Sequence, residues 1–165
     1  MPDTLNISNL GFQKTLKKEV FCEGIGLHSG KKTKIKILPA DANTGITFIR
    51  EDLEKNQKID ALYQNVIDTK LGTTLANKAG YKVHTIEHLM SAFMGLKIDN
   101  AEIILSGSEI PIMDGSARVF IDLINSVGIK EQYAKKKVIK ILKEVSFSQN
   151  NSSIKIYPSD NFSID

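Results

Sequence analysis

The chain has 165 residues, 41% of them hydrophobic and 25% charged, with a formal charge of +3. That is enough for one well-cored domain, or one domain and part of another, and it excludes the composition of a disordered tail. The single Cys22 excludes an internal disulfide and any multi-cysteine zinc cluster, and no apolar run approaches the roughly 20 residues that cross a bilayer.

The N-terminal Met-Pro-Asp-Thr-Leu-Asn lacks a basic segment followed by an apolar one, so no signal peptide is expected and the cytoplasm is the default location. Strands are predicted over 15–22, 33–38, 45–50, 58–67 and 101–106 from alternating or β-branched character. Cys22 lies in the apolar run Val20-Phe21-Cys22, which points to an inert buried thiol. The lysines at 31, 32, 34 and 36 read as a solvated strand edge, and those at 135–137 as part of a charged linker. No nucleic-acid motif is present. A first helix is predicted from Ile86 to Met94, with Thr85 as N-cap, Gly95 near its end, and Ile86, Leu89, Met90 and Phe93 as its apolar stripe. A second runs from Ala117 to Val127, capped by Ser116 and stopped by Gly128, with Val119, Phe120, Leu123, Ile124 and Val127 facing inward. The expected fold is α+β: a two-layer domain of a mixed sheet covered on one side by two helices.

Two stretches echo each other. Leu16-Lys17-Lys18-Glu19-Val20, followed by Ile35-Lys36-Ile37-Leu38-Pro39-Ala40-Asp41, parallels Leu142-Lys143-Glu144-Val145, followed by Ile154-Lys155-Ile156-Tyr157-Pro158-Ser159-Asp160. A duplicated unit is the expectation: a complete first domain over 1–130, a charged linker over 131–137, and the opening hairpin of a similar second domain over 138–165. A lone hairpin is marginal in water, so the residues beyond about 138 should be poorly anchored.

The chemistry gathers at Val83-His84-Thr85-Ile86-Glu87-His88. Glu87 and His88 pair a carboxylate with an imidazole in the first turn of a helix, where the helix field favours the ionised carboxylate. One residue can hold a metal and the other can take a proton from water. His88 would lie above the small residues Ser91, Ala92 and Gly95, which leave room for an approaching group. A competing pattern is H-x-x-E-H over 84–88, the inverted zinc-protease arrangement, which needs His84 and His88 on one helical face.

A longer match favours the first reading and leaves the zinc-protease pattern as the alternative. Thr85-Ile86-Glu87-His88-Leu89-Met90-Ser91-Ala92, Ile98-Asp99-Asn100-Ala101 and Glu109-Ile110-Pro111-Ile112-Met113-Asp114-Gly115-Ser116-Ala117, with the loop Gly24-Ile25-Gly26-Leu27-His28-Ser29-Gly30, resemble the UDP-3-O-acyl-N-acetylglucosamine deacetylases, zinc enzymes of lipid A biosynthesis in Gram-negative bacteria. The resemblance implies two similar α+β domains with the active site between them. It implies that His88 is a ligand of Zn2+ and Glu87 the general base, that Asp114 is important for activity, and that His28 stands near the substrate cavity. The segment 68–73 would border the site, with Leu71 and Thr73 as substrate contacts, and Gly72 stands where many members carry a cysteine. The implied partner is an acylated UDP-amino-sugar, with no nucleic acid and no stable membrane insertion. The other zinc ligands, a His and an Asp on one helix, and the general-acid His belong to the family's second domain. They are expected beyond residue 165, which leaves this chain alone inactive, or a non-catalytic remnant.

Overall fold

The structure is a computed structural model that describes residues 11–55, 57–159 and 163–164. Twelve strands and two helices follow in chain order among these residues: Phe12–Leu16 (β1), Val20–Ile25 (β2), Lys32–Pro39 (β3), Ile46–Arg50 (β4), Lys58–Asp60 (β5), Val66–Asp68 (β6), Thr74–Ala76 (β7), Lys82–Val83 (β8), Glu87–Leu96 (α1), Ala101–Leu105 (β9), Arg118–Val127 (α2), Ile129–Lys135 (β10), Val145–Gln149 (β11) and Ser152–Ile156 (β12). The fold is the expected α+β one.

The main sheet has five strands in the order β2-β3-β9-β4-β5. All its pairs are antiparallel except β4 with β9, so it is mixed. Period-2 alternation decides which face is covered. On β3, Thr33, Ile35 and Ile37 are buried while Lys32 and Lys34 are exposed. The inward set joins Phe48, Ile59, Ile103 and Leu105 from the sheet to Leu89, Ala92 and Phe93 of α1 and Phe120 and Ile124 of α2 in one apolar cluster. The lysines of the outer face are partly neutralised: Lys32 pairs with Glu23 at 2.9 Å and Lys36 with Glu19 at 2.8 Å.

Several predicted elements change in detail. The strand expected over 15–22 is two strands separated by the exposed Lys17-Lys18-Glu19. The strand expected over 58–67 is broken by a 3-10 turn at Tyr63–Asn65, where the Asn65 side-chain amide donates to the Asp60 carbonyl at 2.9 Å. β6, β7 and β8 form a separate three-stranded sheet. The last two are too short to print a periodicity in the sequence.

The segment 131–137 does not read as a linker along its length, because residues through Lys135 belong to β10, which pairs antiparallel with β1. Its charges have local partners. Lys135 Nζ sits 4.1 Å from the Phe12 ring centroid, and Lys136 Nζ pairs with Asp99 at 2.7 Å. Beneath this pair lies a buried amide network. Asn100 Nδ2 donates to Gln13 Oε1 at 2.9 Å and to Gln132 Oε1 at 2.8 Å, and Asn100 Oδ1 accepts the Gly45 amide at 2.8 Å.

β11 and β12 form an isolated hairpin with the pairs Val145↔Ile156 and Phe147↔Ile154. These correspond in the repeat to Val20↔Ile37 and Cys22↔Ile35 of β2 and β3, so the two hairpins share one register. Their environments differ. Val20, Ile35 and Ile37 are in the core, whereas Phe147 and Ile154 remain 62% and 63% exposed. Asp160, the last residue of the second Pro-x-Asp turn, lies outside the described residues. Cys22 is half-buried where full burial was expected, and burial pushes its thiol up to about 11, which favours the protonated form.

No helix among the described residues is long and apolar enough to cross a membrane.

Candidate active site

The site grows from the way the chain enters α1. His84 bridges in parallel to Glu109, its amide donating to the Ser108 carbonyl at 2.8 Å and its carbonyl accepting the Ile110 amide at 3.1 Å. The chain must then turn sharply into the helix, and it does so at Thr85, which takes φ 58°. A β-branched residue at positive φ carries strain on the order of 1–3 kcal/mol, tolerated only where the surroundings over-determine it. Here the buried Thr85 hydroxyl donates to Glu109 Oε1 at 2.9 Å. Thr85 is therefore not the N-cap. Ile86 occupies that position without a side-chain cap. The helix also runs past Gly95 and ends at Lys97, at φ 58°, whose amide returns to the Met94 carbonyl. Ala92, placed by sequence on the small-residue stripe beside His88, belongs instead to the core, while Ser91 and Gly95 are exposed.

Glu87 is the first residue of α1 and sits half-buried. Its Oε2 accepts the Thr73 amide at 2.9 Å. The segment that supplies this amide is itself held. His28 Nε2 lies 2.9 Å from the Leu71 carbonyl oxygen, and the Ile86 amide reaches the Thr73 carbonyl at 3.5 Å. Between them, Gly72 takes φ 153°, and a Cβ there would stand 3.2 Å from Glu87 Oε1 and 3.6 Å from His28 Nε2. Glycine thus lets the loop close over the carboxylate. Leu71 and Thr73 enter this cluster through their backbone. The Leu71 side chain is 87% exposed.

His88 is half-buried, and among the described residues nothing hydrogen-bonds its ring. Asp114 lies in a turn between Met113 and Gly115, both at positive φ. Its Oδ1 accepts both the amide and the hydroxyl of Ser116 at 2.9 Å. Those bonds hold its carboxyl below the usual carboxylate range, and nearby His88 adds a smaller pull in the same direction. Ser116 also accepts the Arg118 amide at 3.0 Å, but the N-cap of α2 is Ala117 and not the expected Ser116, while Gly128 closes the end as expected, its amide on the Ile124 carbonyl.

His84 does not share a helical face with His88, because it precedes the helix, in the bridge to Glu109. Its Nδ1 is 3.0 Å from Thr74 Oγ1, and burial holds its ring below the ordinary histidine value. The inverted zinc-protease arrangement is therefore not formed.

The residue that the sequence reading missed is Glu109, 2% exposed. Its carboxylate accepts the His28 amide at 3.0 Å, the Ser29 amide at 2.8 Å and the Thr85 hydroxyl. Burial alone would raise its pKa, but bonds from the amides of His28 and Ser29 and the hydroxyls of Ser29 and Thr85 bring it down to about 2. A Cβ at Gly26 would collide with this carboxylate, which is why the loop needs glycine there. The sequence signals were its place at the head of the matched segment 109–117 and an acidic residue opening the apolar run Ile110-Pro111-Ile112.

The site thus brings Glu87, His28 and the backbone of 71–73 into one cluster, while His88 reaches Asp114 only through a weak electrostatic pull. The family model described as LpxC: UDP-3-O-acyl N-acetylglycosamine deacetylase matches residues 13–165 of the chain.

Proposed function

Since the chain belongs to the UDP-3-O-acyl N-acetylglycosamine deacetylase family, we propose that it contributes the general base and one metal-binding imidazole to hydrolysis of the acetamide on an acylated UDP-amino-sugar. That step would release acetate and the free amine in lipid A biosynthesis, in the cytoplasm.

The observation that carries this reading is the state of Glu87. A general base needs one oxygen fixed and the other free to receive a proton. The Thr73 amide fixes Oε2, and Oε1 accepts no hydrogen bond among the described residues. Glu87 would take a proton from the water that attacks the amide carbon. His28 and Leu71 would keep the 71–73 loop in place at the edge of the substrate path, and Asp114, tied by Ser116, would contribute its negative charge toward His88.

We assign His88 to zinc. When bound, the metal would polarise the carbonyl and lower the pKa of its water. A catalytic zinc takes three protein ligands. Among the described residues no three of His, Cys, Asp or Glu are grouped to hold an ion, so the described donors do not make up that site by themselves. We infer that the chain alone binds zinc weakly and does not deacetylate without further ligands and a general acid.

The test is Glu87→Ala in a deacetylation assay with a catalytically competent protein carrying this domain. Loss of turnover is expected, and unchanged turnover would remove Glu87 as the base.

A further inference from the structure

We propose that Glu109 is a positioning residue for the Glu87 carboxylate, because it ties together the two pieces of chain that hold Glu87 in place. The proposal rests on the reading of Glu87 as base but is tested without turnover.

One piece is the glycine loop. The Glu109 carboxylate takes the consecutive amides of His28 and Ser29 at 3.0 and 2.8 Å, which fixes the backbone from which the His28 ring reaches the Leu71 carbonyl. Leu71, at φ 57°, begins the turn that delivers the Thr73 amide to Glu87 two residues later. The other piece is the helix entry. Thr85 holds its strained positive φ with its hydroxyl on the same carboxylate, two residues before Glu87. Donors from two segments that are distant in sequence therefore meet on one buried side chain, and the contacts of both segments end at Glu87. A charged carboxylate accepting several short bonds is a stiff anchor in a buried setting. Its own backbone is secured by the bridge to His84.

The arrangement requires a proton on His28 Nε2, since that atom faces a carbonyl oxygen. It also predicts that loosening Glu109 is felt at Thr73, on the far side of the imidazole, before it is felt in the core. The experiment is solution NMR of the chain. In the wild type, the ring nitrogen shifts of His28 should report a protonated Nε2, and a ring protonated only at Nδ1 would overturn the proposal without any variant. In Glu109→Gln, the Thr73 amide should exchange at least about tenfold faster relative to the Ile103 amide of β9. A folded variant in which this ratio is unchanged would overturn it. If Glu109→Gln does not fold, Thr85→Val is read in the same way, since it removes one donor and leaves the loop contacts. Glu87→Ala kinetics decide the base separately: unchanged turnover there, with a moved Thr73 amide in Glu109→Gln, removes the catalytic reading and leaves the positioning intact.

Discussion

The Thr73 amide donates to Glu87 Oε2 at 2.9 Å across 14 residues of sequence. This contact makes the carboxylate an oriented group and not simply the acidic first residue of a helix. It has a direct consequence for catalysis. Glu87→Gln keeps the shape and an oxygen for the Thr73 amide but cannot accept a proton from water. In a protein competent for deacetylation, kcat should fall by about 10²–10⁴ with little change in KM. Steady-state kinetics on the acylated substrate check this.

Glu109 links stability to acid. A carboxyl whose folded pKa lies below its unfolded one contributes stability that is complete above the unfolded value and is lost as pH falls through the folded one. For Glu109 the two values are about 2 and 4.5, so the loss belongs between pH 4.5 and 2. The contribution at neutral pH is about 3 kcal/mol at most. Urea unfolding of the wild type and Glu109→Gln at pH 7 and pH 3 should show the gap between them narrowing at the lower pH.

Metal content follows from the donor set. With one assigned imidazole, the purified chain should retain far less than one equivalent of zinc after dialysis against buffer. Elemental analysis measures it, and stoichiometric zinc would contradict the incomplete site.

The buried amide network around Asn100 predicts a purely structural effect. Asn100→Ala strips partners from Gln13, Gln132 and the Gly45 amide at once. Gln13 Oε1 keeps the Asn43 amide, but the Gly45 amide and Gln132 Oε1 lose this partner, which should cost about 2 kcal/mol. The midpoint of urea unfolding should fall accordingly, while the Thr73 contact to Glu87, on another part of the chain, stays in place.

The hairpin of β11 and β12 repeats the register of β2 and β3 without their apolar cover. Its amides should exchange at least about a hundredfold faster than those of β3, as expected for a two-stranded sheet whose apolar side chains stay exposed. Hydrogen exchange read by mass spectrometry distinguishes the two segments.

Much of this protein was legible in its residues. The apolar stripes of α1 and α2, the alternation on β3 and the paired hairpins follow from periodicity, which is a local property of the chain. The Glu87-His88 pair stood out because its chemistry is contained in two adjacent residues. Short strands such as β7 and β8 left no pattern to read, and β10 was hidden because its lysines resemble a solvated run until Phe12 and Asp99 are brought beside them. The N-cap assigned to Thr85 went wrong for a related reason. A threonine before a helix usually caps it, but here a more distant carboxylate claims the hydroxyl. Glu109 itself is separated by 80 residues or more from the loop it anchors. Its role depends on which donors surround it after folding, and only the tertiary structure could decide that.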